Sequence, residues 1–216
     1  MKVNLDIIKK HKDNGVVFVD ENTAYIDESV VIGEGTVIEP NVYLRANTVI
    51  GKNALIGFCC DISNSEIADN VTVKHSVIID SFIDEGTTIG PFAYIRPNCK
   101  VGKNVKIGDF VEIKNSTIDD GTKLSHLTYV GDADVGKSVN FGCGTVVVNY
   151  DGKKKHRTII KDNAFIGCNT NLVSPVVVEE YAYTAAGSTI TEDVPKDSLA
   201  IARARQVVKK DWVKSR

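Results

Sequence analysis

The sequence predicts an all-β solenoid of parallel strands, wound three short strands to a triangular coil, and two observations carry that reading. The first is a ladder of aliphatic residues stepping by six: Ile26, Ile32, Ile38, Leu44, Ile50, Ile56 and Ile62. The second is a small or β-branched residue two positions before many later rungs, so that strand alternation turns both inward. A helix would need a period of 3.6, and a sandwich of ordinary strands has no cause to hold a six-residue phase over most of a chain.

After phase changes at Ile67 and Ile78 the rungs resume as Ile83, Ile89, Ile95, Val101, Ile107 and Ile113. They run on through Ile118, Leu124, Val130, Val135, Phe141 and Val147, with five-residue steps into Ile118 and Val135, and reappear as Ile160, Ile166, Leu172, Val178, Thr184 and Ile190. Ala93, Val105, Thr122, Thr128 and Ala164 are among the small partners. Gly follows several rungs, at Gly33, Gly90, Gly108, Gly131 and Gly167, and is read as serving a bend at positive φ. Three hexads make a coil, and stacked coils pair their backbones at roughly 4.8 Å. The boundaries read from the ladder are an N-terminal cap or linker at 1–24, the repeat at 25–195 with an inserted loop at 149–159, and a C-terminal extension at 196–216. That extension is expected to be partly helical and to cover the last coil, whose open edge invites aggregation.

At 216 residues and 43% hydrophobic content the chain can bury a core. A net charge of -2 argues against a nucleic-acid partner. No apolar stretch has the length of a membrane span, and the start lacks the core of a signal peptide, so a cytoplasmic protein without a membrane partner is expected. The five cysteines are odd in number, without Cys-x-x-Cys spacing, and are read as reduced thiols with no metal.

The break from Val147 to Ile160 is a loop carrying Lys153, Lys154, Lys155, His156 and Arg157, and a loop expelled from a regular scaffold is a preferred place for function. Arg96 and Lys114 each follow a rung, Ile95 and Ile113, eighteen residues apart. They therefore stack one coil apart on one face, a repulsion that a bridging anion relieves. Glu112 or Asp109 could neutralise them instead. His126 falls at a corner two residues past Leu124, near those coils, which makes it a plausible general base.

The run from Gly90 to Pro97, the runs Phe110 to Lys114, Ser125 to Ala133 and Val139 to Thr145, and Asn149-Tyr150-Asp151-Gly152 resemble the C-terminal half of the bifunctional UDP-N-acetylglucosamine pyrophosphorylase/glucosamine-1-phosphate acetyltransferases. So do the segments around Cys168, Ala186 and Arg203, and the likeness runs from about residue 15 to the end. The resemblance implies a left-handed coil, which spacing alone does not, since parallel crossovers are normally right-handed. It further implies His126 as general base and Arg96, Lys114, Tyr129, Asn140 and Lys155 as holding a sugar phosphate. Acetyl-CoA, the implied co-substrate, would meet Cys143, Asn149, Tyr150, Cys168, Ala186, Arg203 and Lys209. A homotrimer with sites at subunit interfaces and small-molecule substrates is implied as well. Many relatives carry Ala at Cys143 and Ser at Cys168. No Gly-rich nucleotide loop stands in 1–24, so no uridylyltransferase activity is expected.

The expected chemistry is acetyl transfer from acetyl-CoA to the amine of glucosamine 1-phosphate, with His126 removing the ammonium proton and backbone N–H groups of Gly142-Cys143-Gly144 receiving the oxyanion. Another phosphorylated or nucleotide-linked amino sugar is the alternative acceptor. An acetyl-cysteine intermediate, a zinc site on His75, His126 and His156, and a purely structural stack are weaker rivals: neither cysteine has an evident histidine partner, and the histidines lack close pairing.

Overall fold

The computed structural model describes residues 3–215. Its thirty short strands form three parallel sheets of eleven, ten and nine strands, in which neighbours come from successive coils. The sheets are the walls of a triangular prism, a left-handed parallel β-helix. The first wall runs from Val17–Phe18 to Leu199–Ala200, the second from Tyr25–Ile26 to Thr189–Ile190, and the third from Val31–Ile32 to Val177–Val178.

Most strands are two or three residues long and place one rung inward. All the ladder residues are buried, and Val73 is a further rung between Ile67 and Ile78. Rungs stack in register from coil to coil, as in Ile95 on Ile113 on Val130. Each buried Ile contributes about 1.5–3 kcal/mol, which one coil could not collect alone because its faces would stay open. The inward hydroxyls are satisfied within the prism: Thr122 Oγ1 donates to the Gly136 carbonyl (2.8 Å) and accepts from the Val139 N–H (3.0 Å).

The glycines after the rungs have a different cause from the one the sequence invites. Gly90 does sit at φ +100, but Gly33, Gly108, Gly131 and Gly167 have no positive φ. A Cβ there would collide with a neighbouring coil or side chain, at 2.0 Å from the Ser125 carbonyl oxygen in the case of Gly108. Close stacking of coils, not a bend, selects glycine. The left-handed corner positions are taken largely by Asn and Asp, including Asn98 (φ 66), Asn115 (φ 47) and Asp132 (φ 52), residues that tolerate that region.

Strand pairing passes both boundaries of the ladder. Val17–Phe18 pairs with Val37–Ile38, and Leu199–Ala200 pairs with Tyr183–Thr184. Before the first coil, α1 (Leu5–Asp13) is capped by Asn4 Oδ1, which accepts from the Asp6 N–H (3.1 Å), and buries Ile8 and His11. The C-terminal extension contains no helix among the described residues: 201–215 is exposed irregular chain and turn. Its Val207, Val208 and Val213 stay exposed, so little burial offsets the cost of helix nucleation. The inserted loop ends at 157, where strand Thr158–Ile160 begins, and is pinched by a bridge between Tyr150 and Lys155.

Candidate active site

His126 ends strand Lys123–His126 of the first wall, at the corner leading to the second. Its side chain is 56% exposed, and Nδ1 lies 2.6 Å from Oδ1 of Asp109, its register partner one coil below. That bond holds the Asp109 carboxyl below the usual carboxylate range. On the next coil up the chain passes through Gly142-Cys143-Gly144. The Gly142 N–H donates to the Ile166 carbonyl (2.7 Å) and the Gly144 N–H to the Leu127 carbonyl (3.0 Å). Of the three N–H groups expected to receive an oxyanion, two are thus engaged in coil pairing, and Cys143 carries the one without a partner among the described residues.

The same corner continues upward as a column. The Asn169 N–H donates to the Cys143 carbonyl and the Gly187 N–H to the Cys168 carbonyl, each at 2.8 Å. Cys143, Cys168 and Ala186 therefore stand on successive coils above His126, and Arg203 follows, its Cδ 3.8 Å from where a Cβ on Gly187 would lie. Cys168 and Ala186 are exposed and Cys143 half-buried. Downward, the corner presents Phe110, Phe92, His75 and Phe58, with ring centroids 5.4, 4.5 and 4.8 Å apart in that order.

The cations gather on the second wall. Ile95 and Ile113 are paired, so Arg96 and Lys114 do follow on adjacent coils of one face. Arg96 swings back over the Tyr94 ring, 5.9 Å from its centroid, and donates to Glu112 Oε1 at 2.8 Å. Lys114 has no such carboxylate in a hydrogen bond among the described residues. The neighbouring Lys155 amine, then partial burial, hold the Lys114 amine below the usual lysine range, with Arg96 adding to the effect and Asp132 opposing it. Asp132 is buried at the corner between second and third walls, and accepts from Nδ2 of both Asn115 and Asn149 at 2.5 Å. Burial pushes its carboxyl up, but the two amides, with Lys114 and Lys155, outweigh this and hold it below the usual range. Tyr129 lies across Gly131, the position stacked on Lys114; a Cβ on Gly131 would stand 2.4 Å from its hydroxyl.

Arg96, Lys114, Tyr129 and Lys155 are thus brought to one wall. Asn140 is not: it sits on the first wall, between Lys123 and Phe165. Asn149 is buried and engaged with Asp132, Tyr150 is exposed in the loop, and Lys209 lies in the exposed C-terminal chain. Asp132 and Asn115 were not singled out from sequence. Their signal is the spacing of seventeen in Asn115, Asp132 and Asn149, the repeat length of coils that contain one five-residue step. His75, His126 and His156 stand apart, in the aromatic column, against Asp109 and against Asp151 respectively.

Residues 29–62 and 80–115 match the family described as bacterial transferase hexapeptide (six repeats). The bifunctional protein GlmU of Acetivibrio thermocellus is 61% identical over 207 residues, which are 96% of this chain and 45% of that protein. GlmU of Clostridioides difficile is 57% identical over 97% of this chain and 46% of its own length. The chain spans about half the length of the curated relatives it matches. Among solved structures, a UDP-N-acetylglucosamine acyltransferase from Campylobacter jejuni shares the fold with a TM-score of 0.53 at 19% identity, covering 89% of this chain and 79% of that one.

Proposed function

We infer that this chain, which belongs to the bacterial hexapeptide-repeat transferases and is homologous over almost its whole length to part of the GlmU proteins, moves an acetyl group from acetyl-CoA to the amine of glucosamine 1-phosphate. The observation that carries the acceptor is Arg96, Lys114 and Lys155 crowded on the wall that leads to His126. Three adjacent cations outnumber the two carboxylates among them, Glu112 on Arg96 and the buried Asp132 beside the lysines, an excess that favours an anionic group, and charge-assisted hydrogen bonds to a phosphate are among the strongest a protein makes.

His126 takes the proton from the amine, a step in which a placed base contributes typically 10²–10⁴-fold. The freed amine attacks the thioester carbonyl, the C–S bond breaks, and the second proton given up by the nitrogen goes to the departing sulfur, so CoA leaves as the thiol. We assign the oxyanion to the Cys143 N–H, the one of the three without a partner among the described residues. The column Cys143, Cys168, Ala186 and Arg203 is the seat we assign to the cofactor, with Asn149, Tyr150 and Lys209 as further contacts, and Asn140 completes the sugar pocket from the first wall. An acetyl-CoA-dependent reaction of this kind fits a cytoplasmic location, and it uses no metal.

We place the complete site between copies in a homotrimer. His126 and Gly131, the position stacked on Lys114, are five residues apart, roughly 16 Å of extended chain, so one wall does not close a pocket around one small sugar. The ridge of exposed Phe58, Phe92, Phe110 and Leu127 that ends beside His126, and the exposed Val207, Val208 and Val213 of the C-terminal chain, are apolar surface of the kind that marks association.

Release of free CoA from acetyl-CoA tests the reading, with glucosamine 1-phosphate compared against glucosamine and a UDP-linked amino sugar. The phosphate should be preferred by tenfold or more, given about 1.5–3 kcal/mol per charged hydrogen bond. Equal activity on the unphosphorylated sugar, or near-normal turnover in His126→Ala, would overturn it.

A further inference from the structure

Asp109 and His126 are register partners at the end of their strands, and the backbone clamps them as well: the Leu127 N–H donates to the Asp109 carbonyl at 2.9 Å. The 2.6 Å separation of Asp109 Oδ1 from His126 Nδ1 is that of a charge-assisted bond. Neither side chain makes another side-chain hydrogen bond among the described residues. A neutral imidazole carries its proton on one nitrogen only, and a carboxylate at Nδ1 selects the Nδ1–H tautomer, leaving the Nε2 lone pair outward.

We propose that Asp109 is a positioning residue: it fixes the tautomer and ring orientation that make His126 Nε2 the proton acceptor. This rests on the reading of His126 as the base. The groups packed around the imidazole favour that role. From the coil below it faces Asp109; the coil above brings Cys143, and on its own wall Lys106 and Lys123 stand in register with each other, three residues before Asp109 and His126. The other carboxylates of the site are already committed, Glu112 to Arg96 and Asp132 to the two asparagines. The Asp109 carboxyl, held below the usual carboxylate range by its bond to His126, agrees, since it stays ionised near neutral pH.

Asp109→Asn and Asp109→Ala separate the two effects. The Asn oxygen can still accept from Nδ1–H and keeps the orientation without the charge; Ala loses both. Nitrogen NMR of histidine-labelled full-length protein should find the Nδ1–H tautomer of His126 in the wild type and in Asp109→Asn, and a mixture in Asp109→Ala. The kcat of Asp109→Ala should fall about 10- to 100-fold, the range typical of lost orienting partners. Asp109→Asn should keep more of it, with KM values within about twofold in both variants. Retention of the wild-type tautomer in Asp109→Ala would overturn the proposal, as would a kcat within twofold of wild type. The tautomer is read without turnover, so failure of the wild type to acetylate any amino sugar would sink the functional reading while leaving the pair to be judged by NMR. Melting temperatures equal to wild type confirm that the variants fold, as expected for side chains 37% and 56% exposed.

Discussion

Gly131→Ala should damage acceptor binding far more than it damages the fold. The added methyl would stand 2.4 Å from the Tyr129 hydroxyl, 2.7 Å from Asn149 Nδ2 and 2.8 Å from Tyr129 Cζ, where ordinary contact begins at 3.4 Å. Backbone strain does not enter, because Gly131 is outside the positive-φ region. The hydroxyl must therefore retreat by about 1 Å and the Asn149 amide by somewhat less, in a packed site with little slack. Withdrawal of that amide loosens its 2.5 Å bond to the buried Asp132 carboxylate. A hydrogen bond to a charged group is worth about 1.5–3 kcal/mol, and 1.4 kcal/mol is tenfold in an equilibrium. Since Asp132 also balances Lys114 and Lys155, the expected outcome is a KM for glucosamine 1-phosphate raised about 10- to 100-fold, with kcat changed less. The melting temperature should drop by a few degrees, at about 2–4 °C per kcal/mol for a chain of this length. Initial rates of CoA release at varied acceptor, with a thermal melt of the same preparations, measure both. A KM within twofold of wild type and an unchanged melt would refute the placement of Tyr129 and Asn149 over Gly131.

The seat proposed for acetyl-CoA predicts selective protection: saturating acetyl-CoA should slow iodoacetamide labelling of exposed Cys168 several-fold and leave exposed Cys59, far down the same corner, unaffected, as read by peptide mass spectrometry. Equal labelling with and without acetyl-CoA would remove Cys168 from the seat. In the loop, the Asp151 carboxyl is lowered from 3.8 to about 2 by His156, with the Lys154 and Lys153 N–H groups adding to it. A depressed folded value means the turn's stabilisation is complete above pH 3.8 and is lost as pH falls through about 2. The amide shifts of Lys153 and Lys154 should therefore titrate near 2; a midpoint near 3.8 would mean these bonds do not form in solution. Finally, Ile113→Ala removes a fully buried rung and should cost about 2–5 kcal/mol in denaturant titration, as large-to-small core changes do. A loss below about 1 kcal/mol would contradict a tightly packed prism.

The six-residue ladder determined the solenoid because inward side chains repeat with the backbone itself: each rung must meet the rung one coil away, whatever the outer residues are. The same arithmetic placed Arg96 one coil below Lys114 on one wall, eighteen residues being one uninterrupted coil. Other features required the coils to be stacked in space. Local spacing is blind to the hand of the coil, because both hands carry the same inward pattern. The glycines after the rungs look from sequence like bends, and only contact with the next coil gives their reason. Asp109 with His126, and Asn115 with Asp132 and Asn149, become neighbours through coils of seventeen residues, where a single five-residue step moves every outer partner by one place. Which of the three backbone N–H groups stays unpaired among the described residues was likewise decided by pairing between coils, since the N–H groups of Gly142, Cys143 and Gly144 are alike in the chain and differ in what lies above and below them.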